Sequence, residues 1–266
     1  MNVTVKELTY RIQNKTLIEA IGIEVREGEL VGLIGPNGSG KSTLLKNMYR
    51  VLEPDKGAVF LDQQDLFRMS YKETARQVAV VSQETSVSFD FTVKDIVFMG
   101  RNPHKKMFEP DTGHDHEIVE QALSRVGLLD EAHSSFSTLS GGEKQRALIA
   151  RSLVQQARFL ILDEPTNHLD IRYQLQVMDL VKELGITSLA ALHDLNIAAF
   201  YCDRLVVLKA GRLVASGSPE QVLRPELLHD VFGVSAEITS HPLTGKISIT
   251  FLPESVNQLI EGRVKR

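Results

Sequence analysis

The chain has 266 residues, 42% of them hydrophobic, which is enough for one large domain or a core with a subdomain. A net charge of −4 gives no global basic field, which argues against nucleic acid as the partner. The one cysteine, Cys202, excludes an intrachain disulfide and fits a reducing compartment, MNVTVKELTY has no apolar signal-peptide core, and no apolar run approaches the ~18 residues of a membrane span.

Residues 1–30 alternate apolar and polar residues around the turn QNK, which predicts antiparallel strands. Residues 30–34 (LVGLI) read as a buried strand, followed by a glycine-rich loop and a helix from Lys41 to about Arg50. Strands are expected at 57–61 and 78–81, with a short helix at 71–77. From Thr92 to Val154 the pattern turns helical. Ile118, Val119, Ala122, Leu123 and Val126 share one helix face, and the stretch reads as a helical subdomain inserted over about residues 90–155. Strands then return at 159–162, 188–192, 205–208 and 213–216, with helices near Tyr173–Leu184 and through Ala199. Strands separated by helices predict an α/β fold with a mostly parallel sheet. After Val234 the pattern predicts a hairpin around Leu243-Thr244-Gly245, and the polar end, with Arg263, Lys265 and Arg266, is expected to fray.

Gly35 to Ser42 fits G-x-x-x-x-G-K-[ST] between a strand and a helix, the context that a phosphate-binding loop requires. Gly35, Pro36, Asn37, Gly38, Ser39 and Gly40 would bring successive N–H groups onto phosphate oxygens at a helix N-terminus. Lys41 would add a point charge for the β and γ phosphates, and Ser42, followed by Thr43, a hydroxyl for Mg²⁺. Such a loop serves kinases, GTPases and ATPases alike. The apolar strand Phe159-Leu160-Ile161-Leu162 then ends in Asp163-Glu164, where open α/β sheets bind ligands. Asp163 suits Mg²⁺, and Glu164 suits orientation and activation of an attacking water. A guanine-specific reading wants Asn-Lys-x-Asp; Asn167-His168-Leu169-Asp170 has histidine where the lysine belongs.

LSGGEKQR (residues 139–146) reads as a second helix tip with free N–H groups, and equally as a capping box of Ser140 with Glu143. The phosphate loop, this segment and the following strand ending in Asp-Glu together resemble an ATP-binding cassette (ABC) ATPase over about residues 3–235. Gln83 after VAVVS, the loop Asn167 to Asp170 and His193 after SLAAL belong to the same resemblance. It implies a P-loop NTPase cassette with an N-terminal antiparallel β part and an inserted helical subdomain, and leaves 236–266 as a C-terminal hairpin and tail. It also implies head-to-tail pairing with a second copy, so that ATP on Gly35 to Thr43 of one chain is covered by Ser140, Gly141 and Gly142 of the other. Glu164 is then the general base or water-positioning group. His193 contacts the γ-phosphate, Gln83 reaches Mg²⁺ and the attacking water, and Asp170 bridges the protomers. The family usually stacks an aromatic ring on adenine. That position falls near Ile12, with Tyr10 two residues earlier on the same strand face.

Among ABC proteins, chromosome and DNA-repair ATPases carry long coiled coils, and no heptad run separates Lys41 from Ser140. Translation factors usually carry two cassettes, and this chain has one. The resemblance therefore favours the ATPase subunit of a transporter, and an importer over an exporter because exporters often fuse cassette and membrane helices. Phe98-Met99-Gly100-Arg101-Asn102-Pro103-His104, DEPTNHLDI and VFGV before the hairpin resemble cassettes for ferric siderophore, haem and cobalamin uptake, with iron-siderophore first. The implied partners are two membrane permease subunits at the cytoplasmic face of the membrane and, indirectly, an extracytoplasmic solute-binding protein. The segment holding His104, His114, His116 and His133 reads as a solvated loop rather than a metal or haem site.

Overall fold

The computed structural model describes residues 1–82, 90–106 and 109–253. Val3–Ile12 (β1) and Lys15–Val25 (β2) pair antiparallel across the QNK turn; burial alternates cleanly from Ile21 to Val25, and shifts of register between Val5 and Arg11 break the alternation in β1. Both are long, at ten and eleven residues. Leu30–Ile34 (β3) is buried at every position, as a strand covered on both faces must be. Lys41–Met48 (α1) follows the glycine loop, and then come Lys56–Leu61 (β4), Gln64–Asp65 (β5), Tyr71–Gln77 (α2) and Val78–Ser82 (β6). The helical stretch comprises Val93–Phe98 (α3), Gly113–Arg125 (α4) and Gly141–Val154 (α5). Phe159–Asp163 (β7), Ile171–Leu184 (α6), Thr187–Ala191 (β8), Leu195–Tyr201 (α7), Arg204–Lys209 (β9) and Arg212–Gly217 (β10) restore the alternation. Pro219–Val222 (α8) and Pro225–Phe232 (α9) precede the hairpin Ser235–Ser240 (β11) and Ile247–Leu252 (β12).

The central sheet has the order β10-β9-β3-β8-β7-β6, parallel except for β10. A second sheet, β2-β1-β4-β5, is antiparallel. Period-two alternation divides the core between the two faces of the central sheet. Phe159 and Ile161 of β7 join a cluster with α1 and the antiparallel sheet, with Leu44, Leu45 and Val5. Leu160 and Leu162 point the other way, into a cluster with the helices α3 to α7 and with Ala236 and Ile249 of the hairpin.

The helical stretch starts each of its helices with a reciprocal cap. Thr92 with Asp95, Thr112 with Asp115 and Ser140 with Glu143 satisfy N-terminal N–H groups that would otherwise lack partners. The Gly100-Arg101 pair ties the three helices together. A Cβ on Gly100 would stand 2.1 Å from the Arg151 carbonyl oxygen, so only glycine lets this turn lie against α5. Buried Arg101 donates to Asp115 at 2.9 Å, to the Val154 carbonyl at 2.8 Å and to Gln156 at 3.0 Å. Pro103 offers its carbonyl to Arg76 of α2 at 2.9 Å.

The solvated-loop expectation for His114 and His116 is corrected. Both lie in the first turn and a half of α4, because the Thr112–Asp115 capping box starts a helix there. His116 packs its ring 5.1 Å from Phe98, and His104 donates to the Gln155 carbonyl at 2.8 Å. Among the described residues no group of three or more His, Cys, Asp or Glu side chains could hold a metal, and no helix is long and apolar enough to cross a membrane. Cys202 is buried, and burial pushes its thiol up to about 12. Gln83, most of the loop after it, and the end of the chain with Arg263, Lys265 and Arg266 lie outside the described residues.

Candidate active site

A cleft of about 580 Å³ opens at the C-terminal end of the parallel strands, lined by Lys15, Thr16, Leu17, Asn37 to Thr43, Glu164 and Ala210. The glycine loop builds its floor. Gly40 takes φ +104 as the residue before α1, and a Cβ there would stand 2.7 Å from Ile18 Cγ2. Conformation and space both demand glycine at that point. Ser39 Oγ is buried and has no hydrogen-bond partner in the protein. Lys41, 5% exposed, folds back to donate to the Gly35 carbonyl at 2.7 Å and the Pro36 carbonyl at 3.3 Å. Burial depresses the Lys41 pKa, and the carboxylates of Glu164 and Asp163 oppose that shift. A buried ammonium beside an unpartnered hydroxyl at a helix N-terminus is an arrangement suited to an anion.

The acidic wall comes from β7. Ser42 Oγ lies 3.4 Å from Asp163 Oδ1. Burial raises the Asp163 pKa, and the neighbouring Glu164 charge raises it further. The Ser42 hydroxyl and the Asp163 carboxyl are hard oxygen donors, which fit Mg²⁺ once phosphate oxygens and water complete the set.

Glu164 turns away from its strand with φ +56, rare for a non-glycine residue. The reason lies in β8. Asp163 pairs with Ala191 in the parallel register, and the Glu164 N–H continues the ladder to the Ala191 carbonyl at 3.2 Å. Glu164 is thereby set beside His193, two residues beyond Ala191 in sequence. Its Oε1 lies 2.5 Å from His193 Nε2, and Asn167 Nδ2 donates to its Oε2 at 2.9 Å. Gln174 of α6 pins the loop between, donating to the Thr166 carbonyl at 3.2 Å and the Leu169 carbonyl at 2.9 Å.

The structure thus brings Lys41, Ser42, Asp163, Glu164 and His193 to one end of the sheet. Ser140, Gly141 and Gly142 are not among the residues lining this cleft. Ser140 instead caps α5, with Glu143 Oε2 at 2.6 Å from its hydroxyl. A Cβ on Gly142 would stand 2.6 Å from the Tyr173 ring, so the tip sits tightly on α6. Asp170 is exposed, immediately before α6. Neither Tyr10 nor Ile12 lines the cleft. Tyr10 packs against the core, whereas Ile12 is 51% exposed and pairs with the cleft residue Lys15. The sequence reading gave no role to Asn167's side chain, to Lys15–Leu17 or to Ala210. The loop Asn167 to Asp170 was a visible signal for the first; nothing local marked the others.

A parallel sheet with a phosphate loop after β3 and two carboxylates at the C-terminal end of β7 defines a P-loop nucleoside triphosphatase. Residues 18–167 match the ABC transporter family. The chain is 39% identical, over 99% of its length and 67% of the relative's, to the cobalamin import ATP-binding protein of Halobacterium salinarum. It is 42% identical to the petrobactin import ATP-binding protein of Bacillus anthracis, covering 89% of this chain and 88% of that one. Its fold matches, with a TM-score of 0.84 and 25% identity over 96% of this chain and 98% of the other, a solved ABC transporter assigned to the metal-chelate type in an inward-facing conformation. The chain belongs to the ABC transporter family as an ATP-binding subunit, and is an ABC-type ATPase.

Proposed function

We propose that the chain powers import of an iron–siderophore chelate, working as a homodimer on the cytoplasmic face of a membrane beneath two permease subunits. The observation that carries the hydrolytic part is Glu164, bonded to His193 and Asn167 and lining the same cleft as Lys41. Loop N–H groups from Gly35 to Thr43 and the Lys41 ammonium hold the triphosphate. Glu164 accepts a proton from a water that attacks the γ-phosphorus, and the bond to the β-phosphate oxygen breaks as the new one forms. His193 holds Glu164 in place and contacts the γ-phosphate, so its surroundings change when that group leaves. Ser42 and Asp163 would hold Mg²⁺, which supplies charge neutralisation on the phosphates. Gln83, outside the described residues, is assigned to the ion and the water.

Closure needs a second copy. Ser140, Gly141 and Gly142 present a hydroxyl and a helix tip away from their own chain's cleft, so a head-to-tail partner places them over the γ-phosphate, with Asp170 between the protomers. Loss of that phosphate removes the bridge and the dimer opens. The petrobactin relative's 42% identity supports the siderophore reading, with haem and cobalamin the next substrates.

The test is a mild-detergent pull-down of the tagged chain from its native membranes, followed by ATPase assays of the complex. Iron chelates, haem and cobalamin would be supplied with the solute-binding protein. A polytopic partner and stimulation by an iron chelate are expected. Stimulation by haem or cobalamin alone would reassign the substrate, and recovery of soluble partners alone would overturn the transporter reading.

A further inference from the structure

The hairpin after α9 makes one polar contact that packing does not require. Asn196 lies in the first turn of α7, three residues after His193. Its side-chain amide donates from Nδ2 to the Ile249 carbonyl at 3.2 Å and accepts from the Ile249 N–H at 2.8 Å. Ile249 sits opposite Ile238 in the β11–β12 register. The amide of Asn196 therefore acts like a short third strand along the outer edge of β12, matching one donor and one acceptor as a peptide group would.

The same residue faces the site through its main chain. The Asn196 N–H donates to Asp194 Oδ1 at 2.8 Å, and the Ile197 N–H donates to the same oxygen at 2.9 Å. Asp194 follows His193 directly, and His193 lies 2.5 Å from Glu164. An unbroken path of bonds thus runs from β12 through Asn196 and Asp194 to His193 and Glu164. The far end is firm. Ile249 and Ala236 are buried at 5% and 8% exposure in the cluster that includes Leu195 and Ala198 of α7. The near end is open, with the His193 side chain 40% exposed and its Nε2 bonded to Glu164.

We propose that Asn196 is a positioning residue through which the C-terminal hairpin holds His193 against Glu164. The hairpin is then part of the hydrolytic machinery. The inference rests on the ATPase reading above. A small shift of the α7 tip would move the imidazole relative to the carboxylate while leaving the phosphate loop, on the far side of the cleft, undisturbed.

The test is a double-mutant cycle in the full-length chain, using single-turnover ATP hydrolysis with radiolabelled γ-phosphate so that slow variants remain measurable. Asn196→Ala should lower the hydrolysis rate about tenfold, with half-saturation by ATP changed less than about twofold. In the His193→Ala background the same substitution should cost less than about twofold. Asn196→Asp keeps the acceptor for the Ile249 N–H and loses the donor, and should fall between wild type and Asn196→Ala. It also serves as the test variant if Asn196→Ala does not fold. Equal losses in both backgrounds, or no loss in either, would overturn the positioning role while leaving the ATPase reading intact. A wild-type chain that releases no phosphate from ATP would overturn both.

Discussion

At the residue scale the decisive feature is a carboxylate in an uncommon conformation. Glu164 leaves its strand at φ +56 and is held from two sides by His193 and Asn167. Holding both oxygens fixes where the carboxylate would receive a proton. Glu164→Gln keeps shape and size but cannot act as that base, so ATP binding should persist while turnover falls by about 10²–10⁴-fold. Equilibrium nucleotide binding measured beside phosphate release checks this; near-normal release would remove Glu164 from its role. The base end of the cleft yields a second prediction. Tyr10 packs against the core and Ile12 stands exposed beside Lys15, so Tyr10→Ala should change ATP affinity by less than about threefold if its cost is confined to packing. A large loss measured by calorimetry would put the Tyr10 ring on the base.

At the element scale the helical stretch is held by the buried Arg101–Asp115 pair. Arg101 and Asp115 are each 6% exposed, and Arg101 reaches the C-terminal end of α5 as well. Arg101→Ala removes three buried bonds but leaves Asp115 with Lys105 at 3.6 Å and the Thr112 hydroxyl and N–H, so the chain should lose about 2–3 kcal/mol, below the cost of a fully stranded charge, read from denaturant midpoints. The Thr112 hydroxyl, the Thr112 N–H and Arg101 hold the Asp115 carboxyl well below the usual carboxylate range, against the opposing effect of burial. A depressed folded-state pKa contributes stability that is present in full above the unfolded value, near 3.9, and is lost as pH falls below it. Acid unfolding should therefore be less steep in Asp115→Asn than in the wild type, although that variant is less stable at neutral pH. Parallel acid titrations followed by circular dichroism would show it. The tight fit of Gly100 against Arg151 also gives physical content to the Gly-Arg-Asn-Pro segment, which the sequence offered only as a resemblance.

At the scale of the whole molecule, Ser140 at the tip of α5 is not among the residues that line the cleft of Asn37 to Thr43. If, as proposed, both serve one nucleotide, two copies related by a two-fold axis form two equal sites. With ATP, Glu164→Gln should elute as a dimer in size-exclusion chromatography, and Ser140→Arg in that background should return it to monomer. Dimer formation that ignores Ser140 would place the interface elsewhere.

The elements that short-range chemistry dictates are legible in the residues alone. The glycine loop, the apolar strand ending in Asp163-Glu164, the cap at Ser140 and the hairpin around Gly245 all stand in contiguous residues. Two further helices, α8 and α9, carried legible starts in Ser218-Pro219 and Arg224-Pro225 that the periodicity reading passed over. Polar composition alone reads His114 and His116 as loop residues, whereas the Thr112–Asp115 capping box starts a helix there. Which distant groups meet is a property of the folded chain. The β7–β8 register sets Glu164 beside His193, the packing of β12 on α7 sets Asn196 against Ile249, and the β1–β2 turn brings Lys15 to the rim of the cleft. Those meetings depend on strand order and register, which arise from burying both faces of one sheet at once, and no local stretch of residues encodes them.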